Sequence, residues 1–298
     1  MPVQTTRGFT LIELSIVLVI IGLIVGGVLT GRDLIEAAAN RAQIAQIEKY
    51  NTAVRAFQGK YGGIPGDLSL SLATSFGFQT GSCDGGQARR DGNGLLEGYP
   101  GGWTTNQDQF IGETELFWED LSQASLVDGA FPSGGGAVRN CSITDTTQIS
   151  LSTGAYAVGN FIPAAKVGNG NYVYAYTGDS VPAARYTSDS STAITYPVNS
   201  DNWFGISRVT GTSGNGWTMM SNAGLTVLQA YNIDKKLDDG KPLSGNVVAF
   251  FSTGNGIFAP IALAAPSSTT CFDTTLSQYS INQNGGSGMN CALSFRFQ

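Results

Sequence analysis

The first sixty residues carry the clearest pattern of apolar and polar positions in the chain. A short polar stretch, Met1 to Gly8, precedes Phe9-Thr10-Leu11-Ile12-Glu13-Leu14-Ser15 and an apolar run from Ile16 to Leu29. From Phe9 to Thr30 there are 22 residues with one charge, Glu13. Roughly 20 apolar residues cross a bilayer as a helix, so this stretch is long enough to span. Beyond it the pattern becomes amphipathic. Alanines 37, 38, 39, 42 and 45 favour helix. Ile47, Tyr50, Val54, Phe57 and Tyr61 follow at spacings of three and four, which is one stripe of a helix. Gly62, Gly63 and Pro65 end it. The expectation is one continuous helix from Phe9 to Lys60, half in lipid and half against a head.

After Asp67 the period changes. Helices are expected over Gly112–Ala124 and Val227–Leu237. Strands are expected over Tyr172–Thr177, Trp203–Ser207, Asn246–Ser252 and Ala292–Phe297. The first and last alternate with period two. Gly/Ser/Thr-rich stretches such as Ser133–Gly136 and Gly211–Gly216 read as loops, and an inserted subdomain is expected around 70–150.

Charge and composition remove whole classes of chemistry. The chain has 298 residues and no histidine, which excludes Ser-His-Asp and Cys-His catalysis. It contains no phosphate-binding Gly-x-x-x-x-Gly-Lys-Ser/Thr loop and no Ser-x-x-Lys motif. No enzymatic activity is expected. From Asp67 onward there are 10 basic and 18 acidic residues, a balance of −8, which gives no support for direct nucleic-acid binding.

The N-terminal segment admits three readings. A secretory signal peptide fits poorly, because the run exceeds a typical signal core and no small-x-small cleavage site follows Leu29. A plain anchor leaves Glu13 unexplained, since a carboxylate in lipid costs a few kcal/mol unless paired or snorkelling. Arg7 before the span places the N-terminus in the cytoplasm and the head in the periplasm or outside. The third reading comes from the motif itself. Arg7-Gly8-Phe9-Thr10-Leu11-Ile12-Glu13 resembles the processing site of type IV prepilins and type II secretion pseudopilins.

That resemblance covers roughly residues 1–60 and implies a set of roles. A membrane prepilin peptidase would cut between Gly8 and Phe9 and N-methylate Phe9, leaving 298 − 8 = 290 residues. Glu13 would pair with the Phe9 amine of a neighbouring subunit, two charges that are costly alone neutralising each other. The implied organisation is a leader (1–8), a transmembrane and filament-core helix (9–31), an amphipathic helix (32–61) and a globular head (62–298). The implied fold is α+β and pilin-like, with the long helix packed on an antiparallel sheet. The implied partners are other pilin or pseudopilin subunits, prepilin peptidase, an inner-membrane assembly platform, and lipid before assembly. The implied location is a single pass of the inner membrane, then a pilus or pseudopilus. Many pilins carry proline at the position of Thr30; here Gly22, Gly26, Gly27 and Gly31 are the weak points instead. The head, roughly 230 residues, is large for a repeating major subunit and points to a minor or specialised one. A filament-tip adhesin is the alternative.

Four cysteines in an exported head suggest two disulfides. Three pairings are open; Cys271–Cys291 with Cys83–Cys141 keeps both loops local, and the first resembles the C-terminal disulfide loop of pilins. Two acidic loops are calcium candidates. One supplies Asp91, Asn93 and Glu97; the other supplies Asp234, Asp238 and Asp239, in a stretch similar to one in other large pilin-like proteins. The alternative for the second is a solvated turn balanced by Lys235, Lys236 and Lys241. Trp103, Tyr172, Tyr174 and Tyr176 are either a ligand platform or core.

Overall fold

The structure is a computed structural model, and it describes residues 8–80, 90–96, 110, 112–132, 157–177, 201–212, 219–249, 270–273, 275–282 and 286–297. Helix α1 runs unbroken over Leu11–Tyr61, 51 residues or about 76 Å. Thr10 caps its start. The Thr10 hydroxyl accepts from the Glu13 amide at 3.3 Å, and the Glu13 carboxylate accepts from the Thr10 amide at 2.8 Å. This is a capping box, which satisfies two orphan donors of the first turn. Gly62, at φ 82°, closes the other end and donates to the Gln58 carbonyl.

The two halves of α1 differ in what covers them. Residues from Leu11 to Leu29 are exposed throughout. From Asn40 onward one face is buried, and the stripe Ile47, Tyr50, Val54, Phe57, Tyr61 is the buried one. Two polar members of that face, Gln43 and Gln46, have partners across it. The Gln43 side-chain oxygen accepts from the Val167 amide and that of Gln46 from the Lys166 amide; the Gln46 amide nitrogen donates to the Ala164 carbonyl. Two glutamines thus strap residues 164–167 along the helix.

The head is built on an antiparallel sheet. Its strands are β1 (Asn171–Thr177), β2 (Asn202–Thr212), β3 (Met219–Asn222), β5 (Val247–Ala249) and β9 (Leu293–Arg296), in the order β1-β2-β9-β5 with β3 also on β2. Two small ribbons flank it: β4 (Leu225–Thr226) with β8 (Met289–Cys291), and β6 (Phe272–Asp273) with β7 (Gln278–Tyr279). Helices α2 (Leu70–Phe76), α3 (Gly112–Gln123) and α4 (Val227–Leu237), with a single 3-10 turn at Val158–Asn160, complete the described elements. Tyr50 of α1 meets Trp118 of α3 and Phe204 of β2, with ring centroids 4.8 and 5.9 Å away. Leu96, Phe117, Trp118, Phe131, Phe204 and Phe297 belong to one cluster with the α1 stripe. The described part of 70–150 therefore shares the core of the head rather than forming its own.

The α+β architecture with a long N-terminal helix is as expected, with differences of detail. Strand β2 extends five residues beyond the expected Ser207. The β5 strand starts at Val247, and residues 250–252 lie outside the described residues. β1 does not alternate: all of it is buried except Tyr172, which is half-buried. Both of its faces are covered. Tyr174 shares a 3.0 Å hydrogen bond with Ser207, and Tyr176 donates to Ser294 at 2.7 Å. These tyrosines are core with satisfied hydroxyls, not a platform; Trp103 lies outside the described residues.

Candidate functional site

The feature with the most chemistry at the N-terminus is the start of α1. Gly8 and Phe9 precede the helix and are exposed, Phe9 at 90%. The bond between them lies ahead of the helix in exposed chain. Glu13 sits one turn in. Its Oε2 accepts from both the amide and the hydroxyl of Thr10, each at 2.8 Å. The carboxylate is held at the helix N-terminus, where the helix dipole and unpaired amides favour negative charge. Cleavage after Gly8 would put a new ammonium one residue from that cap. The same stretch is long and apolar enough to cross a membrane.

Residues 4–29 match the family model for the prokaryotic N-terminal methylation motif. That motif is the type IV pilin and pseudopilin prepilin signature. No curated protein and no solved structure matches the chain. The match includes Phe9, Glu13 and the exposed apolar stretch of α1 up to Leu29, and it stops before the head begins. The α+β form, with the motif at the start of a long helix laid on an antiparallel sheet, is pilin-like.

Within the head, two carboxylate clusters were open as metal sites. Asp91 and Asn93 are described; Glu97 lies outside the described residues. The Asp91 carboxylate accepts from the Asn93 amide at 3.0 Å, and the Asn93 side-chain oxygen accepts from the Leu95 amide at 2.7 Å. These are consecutive Asx turns. The structure adds two acids that local spacing cannot find. Asp67 and Glu113 join Asp91, with one oxygen of each within 4.8 Å of the others. Asp67 is buried and accepts from the amides of Gly92 (2.7 Å) and Gly94 (2.6 Å). Burial pushes its carboxyl up to about 6; the Gly94 and Gly92 amides and Glu113 pull it back, and Asp91 pushes it further. Asn202 then grips the same loop. It donates to the Gly94 carbonyl and accepts from the Leu96 amide, at 2.7 and 2.9 Å.

The second cluster is brought together as the sequence suggests. Asp234, Asp238 and Asp239 place one oxygen each within 4.8 Å of one another. Asp234 is fully buried at the end of α4. It accepts from the Tyr279 hydroxyl at 2.7 Å and the Gly240 amide at 3.1 Å. Burial pushes its carboxyl up to about 7, against the pull of Tyr279 and Gly240, and Asp239 and Asp238 add to the rise. Asp238 accepts from the amides of Asn246 and Val247, and Asp239 from the Lys241 amide and the Ser244 hydroxyl. A Cβ on Gly245 would lie 1.8 Å from the Asp238 carboxylate, so only glycine leaves that oxygen its place. The spacing would suit a hard dication. What the carboxylates do in this fold is staple the 238–247 loop between α4 and β5. Lysines do not balance them through ion pairs among the described residues. Lys235 instead donates to Tyr231 at 3.0 Å.

Cys271 and Cys291 form a disulfide with Cα atoms 5.0 Å apart. It joins the residue just before β6 to the end of β8, and through the Tyr279–Asp234 bond the same unit is fastened to α4. Cys83 and Cys141 lie outside the described residues. A further buried pair went unforeseen. Arg90, at 3% exposure, forms a two-pronged ion pair with Asp120 of α3 at 2.9 and 2.7 Å, and Asp120 also accepts from the Gly66 amide. Thirty residues separate the partners, and the sequence carries no local signal for it.

Proposed function

We propose that this chain is a filament subunit of a type IV pilus or type II secretion pseudopilus. Prepilin peptidase cuts between Gly8 and Phe9 and methylates the Phe9 amine. The subunit waits in the inner membrane on α1, N-terminus in the cytoplasm and head in the periplasm. Assembly then packs the exposed half of α1 among copies of itself or related subunits, at an inner-membrane platform driven from outside this chain. The observation that carries the reading is the methylation motif at the start of a helix whose apolar half is left uncovered among the described residues.

Glu13 is the assembly residue in this reading. Its cap to Thr10 holds the carboxylate near the helix start, and the methylated amine of a neighbour supplies the counter-charge. The large head supports a minor or specialised role over a repeating shaft role. A tip position with ligand-binding loops is separable from a shaft position by stoichiometry in isolated filaments.

The deciding experiment is intact-mass and N-terminal peptide spectrometry on protein from its native membrane. A chain starting at N-methylated Phe9 is the expected result. A chain starting at Met1 in cells that contain the peptidase removes the proposal. In the same cells Glu13→Ala is expected to be cut and to assemble poorly.

A further inference from the structure

Above the membrane stretch, α1 is one wall of a groove of about 720 Å³. Ala42, Ala45 and Lys49 line that wall, at spacings that keep them on one face of the helix. The Asp128–Phe131 turn and the Pro163–Lys166 strap form the others. The strap is held by the Gln43 and Gln46 bonds already described, so the groove has fixed sides. Small side chains on α1 leave the helix backbone approachable. Its charged rim is Lys49, Lys166 and Asp128, two cations to one anion. Lys49 donates to Asp128, and the two lysines, Lys49 foremost, hold the Asp128 carboxyl below the usual range.

One turn or more below, α1 carries a stretch with the opposite character. Leu34 is 67% exposed, beyond the end of the apolar run. Asp33, Leu34 and Ala37 are all exposed and share a face, and Glu36, which is half-buried, lies at its edge one turn on from Asp33. Asp33 and Glu36 form no ion pair within the chain among the described residues. The stretch offers an apolar knob with two carboxylates. The groove offers small apolar walls with an excess of positive charge.

We propose that the groove beside Ala42 and Ala45 is the docking site for a second copy of this chain, seating the Asp33–Ala37 stretch of its α1 with Asp33 and Glu36 toward Lys49 and Lys166. The inference rests on the filament reading and adds a defined contact to it. It also fixes a geometry. Setting Glu36 of one copy level with Lys49 of the other shifts the helices by 49 − 36 = 13 residues, about 20 Å along the axis. A Phe9 amine level with Glu13 needs four residues, about 6 Å. The two contacts are therefore made with two different neighbours, as a helical array with one rise per subunit provides.

The test uses the full chain in its native assembly system. Subunits carrying Leu34→Cys are co-assembled with subunits carrying Ala45→Cys, and filaments are oxidised briefly. A dimer-sized cross-link that appears in mixed filaments and in neither single variant is the expected result. Its absence from intact mixed filaments overturns the proposal. In a second arm Lys49→Glu/Lys166→Glu is expected to lower filament yield about tenfold or more, with recovery when Asp33→Lys/Glu36→Lys is added to the same chain. Wild-type yield from the lysine reversal overturns the docking while leaving the filament reading intact. All four reversed side chains lie at the surface or half-buried, and an unchanged melting temperature separates lost docking from lost folding. A wild-type chain that is processed and never assembles overturns both.

Discussion

Removing the Asp120 carboxylate should be the most damaging single change in the described head. Asp120 is fully buried, accepts both prongs of Arg90, and takes a third bond from the Gly66 amide at 2.7 Å. Asp120→Ala leaves a guanidinium with 1% side-chain exposure and no anion. Breaking a buried pair from one side costs about 3–5 kcal/mol, because the surviving charge stays desolvated. In a chain of this size that is a fall of about 10 °C in melting temperature. Asp120→Asn should cost less, since it keeps the shape and an acceptor for Gly66. Arg90→Met with Asp120→Leu should recover most of the loss, because neither charge then has to be buried. Urea unfolding of the full chain in detergent, followed by tryptophan fluorescence, reads all three; Trp118 lies buried two residues away on α3. A loss under about 1 kcal/mol for Asp120→Ala would refute the reasoning, as that is the cost of an ordinary surface change.

Other expectations concern pH, the disulfide, the loop glycine and the leader. Asp234 and Asp67 both have carboxyls raised in the fold, to about 7 and about 6, from an unfolded value near 3.8. Their stabilisation is therefore fully present below about pH 4 and is lost as pH rises through 6 to 7. Melting temperature measured from pH 5 to 8 should fall, and Asp234→Asn should flatten part of that slope; a slope unchanged in the variant would reassign it. Cys271→Ser/Cys291→Ser opens a loop of 20 residues' separation and should cost about 3 kcal/mol, read by chemical unfolding with and without reductant. Gly245→Ala forces a Cβ onto the Asp238 carboxylate and should cost about 1–3 kcal/mol while leaving processing untouched; a neutral result would mean the loop simply shifts. Gly8→Arg should leave the leader attached, visible as an uncut mass on a gel or by spectrometry.

The sequence made some of this legible and hid the rest for physical reasons. The α1 stripe could be read because a helix repeats its buried face every three to four residues, and Ile47 through Tyr61 obey that over four turns. Val227–Leu237 was equally readable, and the structure adds a Thr226–Gln229 capping box at its start. Strand β1 misled. Alternating Tyr and small residues suggest one wet face, yet both faces are covered, and the tyrosine hydroxyls are satisfied by Ser207 and Ser294 from other strands. Asp67 was missed because its partners come from residues 92, 94 and 113, and partners so far along the chain leave no local spacing. The two-residue strands β4, β6 and β7 exist only through their pairings, so no segment-level pattern announces them. Asp234, Asp238 and Asp239 could be grouped by their spacing, but the loop amides that occupy them belong to chain folded back on itself.

The continuity of α1 has a mechanical side. One rod is both the membrane-capable apolar stretch and the spine of the head. A pull along its lower half is delivered straight into the head, parallel to the rows of contacts made by Gln43, Gln46, Tyr50 and Phe57. Contacts loaded lengthwise in this way share the force and must yield together, unlike a strand peeled from an edge one bond at a time. A chain so built would pass tension through its head-to-spine seam, and the glycines from Gly22 to Gly31 are where the helix itself has the lowest intrinsic propensity.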